Sequence, residues 1–388
     1  MFQKFIDYFN LQQVRGLELF FASILILSSY SLWGLPLQII IWLLLLVFLL
    51  IKPKVRQFPK NKPLTIMVLF VLLHDFLYLF IANGNINAYI QQVTMFGCLF
   101  LAVKVFNIDK LKGSINLVAI IAIIGLLYQW GVISAGKGVH PIQLPFLDMP
   151  QNRLEGVSIR PSSFFMEPAA YVAFMYIPLA FSLIDRKFLW TLVIILSEFL
   201  TTSTTGLLTS FIMLIVYIFT QKVNFKIRFF SVVMGAAMLF ALTNFNAFQT
   251  GVNKLEDTNI DTNMRLAQGP YVVSTMQPKE LIAGAVYHNA YNYCLAGRAP
   301  DVVFYENEVY MSTIWMIILK YGFMGLVLYF MFYLKIAKED RKTLPLIVCL
   351  IAVMFSSGYG FGGTYIYTSI SLMLIFIYNK NKLEYDKK

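Results

Sequence analysis

Residues 35–82 read LPLQIIIWLLLLVFLLI (35–51), KPKVRQFPKNKP (52–63) and LTIMVLFVLLHDFLYLFIA (64–82). The first and third runs are almost wholly apolar. Neither has a polar stripe at helical spacing, so neither is a helix that rests one face on a soluble core. At 1.5 Å per residue they reach about 26 and 28 Å, close to the ~30 Å of a bilayer's hydrocarbon. The middle run carries five cations, Lys52, Lys54, Arg56, Lys60 and Lys62, and basic loops stay on the cytoplasmic side. The stretch predicts a transmembrane helical hairpin, and its charge orients the rest of the chain.

The same alternation recurs along the chain. Of 388 residues, 59% are hydrophobic and 13% charged, with a mean hydropathy of +0.69. A soluble domain of that length cannot hide so much apolar surface. About twelve spans are expected, over 17–33, 35–51, 64–82, 88–105, 115–133, 168–184, 188–201, 205–220, 229–246, 309–334, 343–357 and 363–379. The chain reads as a single integral membrane domain over 1–388, all-α and polytopic, with both termini cytoplasmic. Threading puts 23 of the 31 Lys and Arg inside, 7 outside and Lys320 within a span. The net charge of +11 is then a topology signature and argues against a nucleic-acid partner. Segment 1–15 is polar and aromatic, which predicts no cleavable signal peptide. Three scattered cysteines, Cys98, Cys294 and Cys349, indicate neither a structural disulfide nor a thiolate metal cluster.

Two outer segments are long, 134–167 and 248–308, and hold most of the outer charge. Long loops among short ones are commonly functional. Apolar patches at 271–276 and 281–287 predict short interfacial helices in the second.

Four segments carry candidate chemistry. RPSSFFMEPAAY (160–171) puts Arg160 and Glu167 where the first long loop enters a span, with Pro168 suited to a helix's first turn. TSTTGLLTSF (202–211) offers hydroxyls to cap a helix or line a polar cavity, with Glu198 nearby. NMRLAQGPYVV (263–273) places Arg265 in the largest loop, and ENEVYMSTIWMIILKYGFMG (306–325) puts Glu306 and Asn307 ahead of Gly322 and Gly325. Those glycines allow close helix packing. Lys320 and Asp75, the latter beside His74, are charges within spans. Each must pair, snorkel or face a cavity, and each is a site candidate or a structural pair.

In this order and sidedness the four segments resemble the Wzy-type O-antigen and capsular polysaccharide polymerases, and more distantly the O-antigen ligases. The resemblance covers roughly 150–335, and the first five spans contribute only topology to it. The sequence departs from the ligases' His-Asn pair before the glycines: Met311 and Ser312 stand at about that spacing, and His288 and Asn289 lie well upstream. The resemblance implies a glycosyltransferase C-like fold in a bacterial cytoplasmic (inner) membrane. Its active site would face the periplasm or cell exterior. Its substrates would be an undecaprenyl-diphosphate-linked glycan donor and a lipid-linked acceptor, with a chain-length regulator as a possible further partner. No cofactor and no metal are implied, and the outer loops hold no Asp-x-Asp or His/carboxylate cluster.

An acceptor hydroxyl would attack the donor's anomeric carbon as undecaprenyl diphosphate leaves. Arginine suits a diphosphate because its planar fork makes paired hydrogen bonds to phosphate oxygens. The expected catalytic set is Arg160, Glu167, Arg265 and Glu306, with the arginines on the leaving group and a carboxylate taking the proton. Arg153, His288, Arg298, Asn307 and Tyr271 are the expected substrate contacts. The competing class is a lipid-linked oligosaccharide flippase or other transporter, in which Lys320 and Asp75 form a coupling pair near midplane. A membrane O-acyltransferase would want a deep His, for which His74 and His140 give slight support.

Overall fold

The computed structural model describes residues 2–59, 61–81, 85–149, 160–221, 225, 228, 229, 233, 264–285, 311–356 and 361–385. The described chain is mostly helical. Its helices are α1 (Phe2–Phe9), α2 (Gly16–Ala22), α3 (Ile24–Leu27), α4 (Leu37–Ile51), α5 (Lys62–Ile81), α6 (Ile86–Val105), α7 (Ile108–Ser134) and α8 (Pro168–Ile184). They continue as α9 (Phe188–Leu200), α10 (Thr204–Thr220), α11 (Met264–Ser274), α12 (Pro278–Ala283), α13 (Thr313–Glu339), α14 (Leu344–Ser356) and α15 (Gly363–Tyr385).

Ten of the twelve expected spans each coincide with one helix. The ninth, 229–246, lies almost wholly outside the described residues. The first, 17–33, is not one helix. Ser23, Ser28 and Ser29 turn their hydroxyls onto the carbonyls of Leu19 and Leu25, the local competition by which serine weakens a helix. The chain then enters a small hairpin, β1 (Ser31–Leu32) against β2 (Leu35–Pro36). Trp33 and Gly34 turn it at φ 50° and 79°, the positive pair a two-residue hairpin favours.

Among the described residues four helices, α5, α6, α7 and α13, are long and apolar enough to cross a membrane, and α4, α8, α9 and most of α10 are shorter apolar helices. Their outward faces are apolar as well. α5 exposes Ile66, Leu69, Leu73, Phe76, Leu77 and Phe80. A water-facing helix would carry polar groups there, whereas lipid accepts these. The protein is membrane-embedded on this evidence. The centre is α8, in which every residue from Tyr171 to Leu183 is buried; it packs against α7, α9, α10, α14 and α15.

The helix ends sort into two groups, as alternating spans require. At one end Val55 N–H reaches the Lys104 carbonyl, Lys112 pairs with Asp185, and Gln221 donates to the Arg341 carbonyl. At the other, Trp130 donates to the Leu200 carbonyl and Ser31 bridges Asp148. We call these the basic end and the loop end.

Candidate functional site

The segment that enters α8 is built from buried backbone, which must find partners. Gln129, near the end of α7, supplies them. Its Oε1 accepts from Ser162 N (3.0 Å) and Ser163 N (2.7 Å). Its Nε2 donates to the His140 carbonyl at 2.8 Å and lies 3.4 Å from that of Ser163. An amide side chain both donates and accepts, so one residue ties two strands of loop together. Tyr30, just past α3, adds a second tie: its hydroxyl is 2.6 Å from the Ile142 carbonyl and 3.1 Å from that of Phe164. Gly125 makes the room, because a Cβ there would fall 2.5 Å from Ser163 Oγ and 2.8 Å from the Phe164 ring.

The clamp leaves Pro161, Ser162 and Ser163 buried and Arg160 exposed at their edge. Glu167 is half-buried at the N-cap of α8, and Pro168 opens the helix as expected. The early spans therefore do more than set topology: Tyr30, Gly125 and Gln129 hold the RPSSFFMEP segment in place.

A second polar arrangement lies deeper in the same half of the bundle. α13 is interrupted at Gly322, with φ 65° and ψ −174°. The backbone after α12 enters the gap, and Ala285 N donates to the Leu319 carbonyl at 2.7 Å. A Cβ at Gly322 would fall 2.2 Å from Ile282 O, and one at Gly284 (φ 94°) 2.2 Å from Lys320 O. Two backbones touch there, which only glycine permits in these conformations. Gly322 thus admits the last turn of α12, a close helix approach of the kind expected for this glycine. The expected interfacial helices are α11 and α12, but α12 docks against α13 beside that gap.

Beside the gap Lys320 Nζ lies 3.3 Å from Asp75 Oδ2, and Tyr321 donates its hydroxyl to the same oxygen at 3.0 Å. His74 Nδ1 is 3.6 Å from Asp75 Oδ1. Counted along their helices, Asp75 is about 9 Å and Lys320 about 10 Å from the loop end. The two membrane charges face each other, nearer the midplane of a ~30 Å hydrocarbon core than that end.

The hydroxyl-rich hairpin divides its work. Ser203 caps α10, accepting from Gly206 N at 3.3 Å. Gly206 lets α8 approach, since a Cβ would fall 2.6 Å from Val172. Glu198 is fully buried and accepts from the Ser210 hydroxyl, and Thr209 bonds Tyr176.

Arg265 and Tyr271 lie on α11, which packs on α13; Tyr271 is half-buried. Arg160 stands in the loop that enters α8. Arg153, His288, Arg298, Glu306 and Asn307 lie outside the described residues. Gln129 had a sequence signal, an amide deep in an apolar run; Tyr30 had none. Compared with known proteins, the chain matches no family model, no curated protein and no solved structure.

Proposed function

We propose that this protein polymerises undecaprenyl-diphosphate-linked oligosaccharide repeat units into O-antigen or capsular polysaccharide. It would do so as a twelve-span, glycosyltransferase C-like protein of a bacterial cytoplasmic membrane. Both termini and the basic end would face the cytoplasm, and the loop end the periplasm or exterior. The acceptor sugar hydroxyl attacks the donor's anomeric carbon, the bond to the diphosphate breaks, and undecaprenyl diphosphate leaves. Arg160 and Arg265 balance the charge that grows on the leaving group. Glu167 or Glu306 takes the hydroxyl proton, with His288 as the reserve base.

The observation that carries this reading is the clamp. Hydrogen bonds with Gln129 and Tyr30 fix the loop that presents an exposed arginine ahead of Glu167 at the N-cap position of α8. Preorganised cations stabilise developing charge without reorganising, which is what departure of a diphosphate requires. The transporter reading has less support, because Lys320 and Asp75 are engaged with each other and with Tyr321.

Deletion followed by glycan analysis tests the proposal. A polymerase loss leaves single repeat units exported on lipid or carrier; a flippase loss leaves none exported. Arg160→Ala should insert normally and abolish long chains, and Arg160→Lys should restore little because it lacks the fork. Long chains made by both Arg160→Ala and Arg265→Ala would sink the assignment.

A further inference from the structure

At the basic end a cavity of about 830 Å3 opens between α1, α7, the α8–α9 turn, the end of α10 and the α13–α14 turn. Five cations line it: Lys4, Lys112, Arg186, Lys187 and Lys342. Retention of basic loops on one side explains why cations lie at this end. It does not explain why four segments bring them to one concavity.

Two carboxylates share the lining, and both have partners. Asp185 pairs with Lys112, whose side chain is only 6% exposed. Asp7 accepts from Gln3 Nε2 at 3.0 Å. The walls are fixed by buried contacts. Asn116 donates to the Phe9 carbonyl at the end of α1 and accepts from Trp190 Nε1. Lys187 donates to the Tyr8 carbonyl and lies 4.7 Å over the Tyr8 ring. Burial, together with nearby Lys112, pushes the Lys187 ammonium below its ordinary value, against the pull of Asp185. The cavity is a built site with an excess of positive charge.

Arg186 is the telling residue. α8 ends in a Schellman motif, with Lys187 N bonded to Ser182 O (2.8 Å) and Arg186 N to Leu183 O (3.1 Å). Arg186 occupies the left-handed position at φ 57°, where glycine is the ordinary choice because it has no Cβ. Here the position carries an exposed guanidinium that lines the cavity.

We propose that this cavity binds a phosphate group, with Arg186 and Lys342 as its direct ligands and Lys4 at the rim. A guanidinium fork with nearby ammonium groups matches phosphate oxygens in geometry and charge. Basic pockets between membrane helices on the cytoplasmic side are suited to anionic lipid headgroups, and a free diphosphate offers the same chemistry. The inference is independent of the polymerase reading.

The full chain, purified in neutral detergent, is titrated with three probes: phosphatidylglycerol against phosphatidylcholine in mixed micelles, inorganic phosphate, and inorganic diphosphate. Saturable binding of phosphatidylglycerol or of an inorganic probe is expected, the responding probe identifying the source of the phosphate. Arg186→Gly with Lys342→Gln should weaken that binding at least tenfold. Lys52→Gln with Lys54→Gln removes equal charge from the same end outside the cavity and should change it less than twofold. Arg186→Gly alone suits the left-handed position, so its Tm without ligand should hold or rise while binding weakens. Equal weakening by the Lys52/Lys54 control, or no saturable binding of any probe, would overturn the proposal. So would a fall in the Tm of Arg186→Gly without loss of affinity.

Discussion

Two polar arrangements stand in the loop-end half of the bundle and are made of opposite materials. The clamp of Gln129 and Tyr30 uses neutral groups, and its bonds go to loop backbone. The cluster of Asp75, Lys320 and Tyr321 uses full charges and sits where a long helix is broken. Neutral amides and hydroxyls can fix a buried loop without the desolvation cost of an ion. A charge pair in a membrane protein carries that cost and needs its partners close. The contrast separates position from hold. The clamp sets where Arg160 stands, and the pair keeps α5 against the interrupted α13.

Substitution can break that contrast, and the largest effect is expected at the gap. Gly322→Ala puts a Cβ into the Ile282 carbonyl at a backbone conformation nearly confined to glycine, which should cost about 3 kcal/mol or more. Thermal unfolding of the purified protein measures it; an unchanged Tm would mean that α12 does not dock there.

Next is the charge pair. Asp75→Ala strands Lys320, and since that side chain is 31% exposed the cost is reduced by hydration to about 2 kcal/mol. Asp75→Leu combined with Lys320→Met should recover at least half of it in a double-mutant cycle. If the double variant is stable and still makes long chains, the pair is purely structural. A stable double variant without polymer would place it in the site.

The clamp should respond more gently in stability and more sharply in function. Gln129→Leu leaves the Ser162 and Ser163 N–H groups without their acceptor, a loss of about 1–2 kcal/mol. Chain length measured on gels should collapse while the protein still inserts. Tyr30→Phe removes one hydroxyl and should cost about 0.5–1 kcal/mol, with partly shortened chains. Equal polymer from both clamp variants and wild type would show that loop position does not matter to the product.

Parts of the site were legible beforehand because their physics is local. Pro168 at the start of α8 and Ser203 as the cap of α10 follow from helix-end chemistry within a few residues. The first span was misread for the opposite reason. Its apolar content was sufficient, but Ser23, Ser28 and Ser29 compete for its carbonyls and a Trp33–Gly34 turn follows. Gln129 was not among the expected site residues, because the partners that give it a role lie up to 34 residues away.

Apolar length alone established a helical, membrane-embedded chain and the course of ten helices. In hydrocarbon a helix satisfies its own backbone, so the requirement is written segment by segment. Pairing of the two membrane charges was an expected alternative, and the structure joins Asp75 to Lys320 across 245 residues; tertiary structure alone decided that Gly322 opens α13 to another backbone and that Arg186 joins a cavity at the far end. Those outcomes depend on which buried groups must find each other once the helices pack, and no periodicity along the chain encodes that pairing.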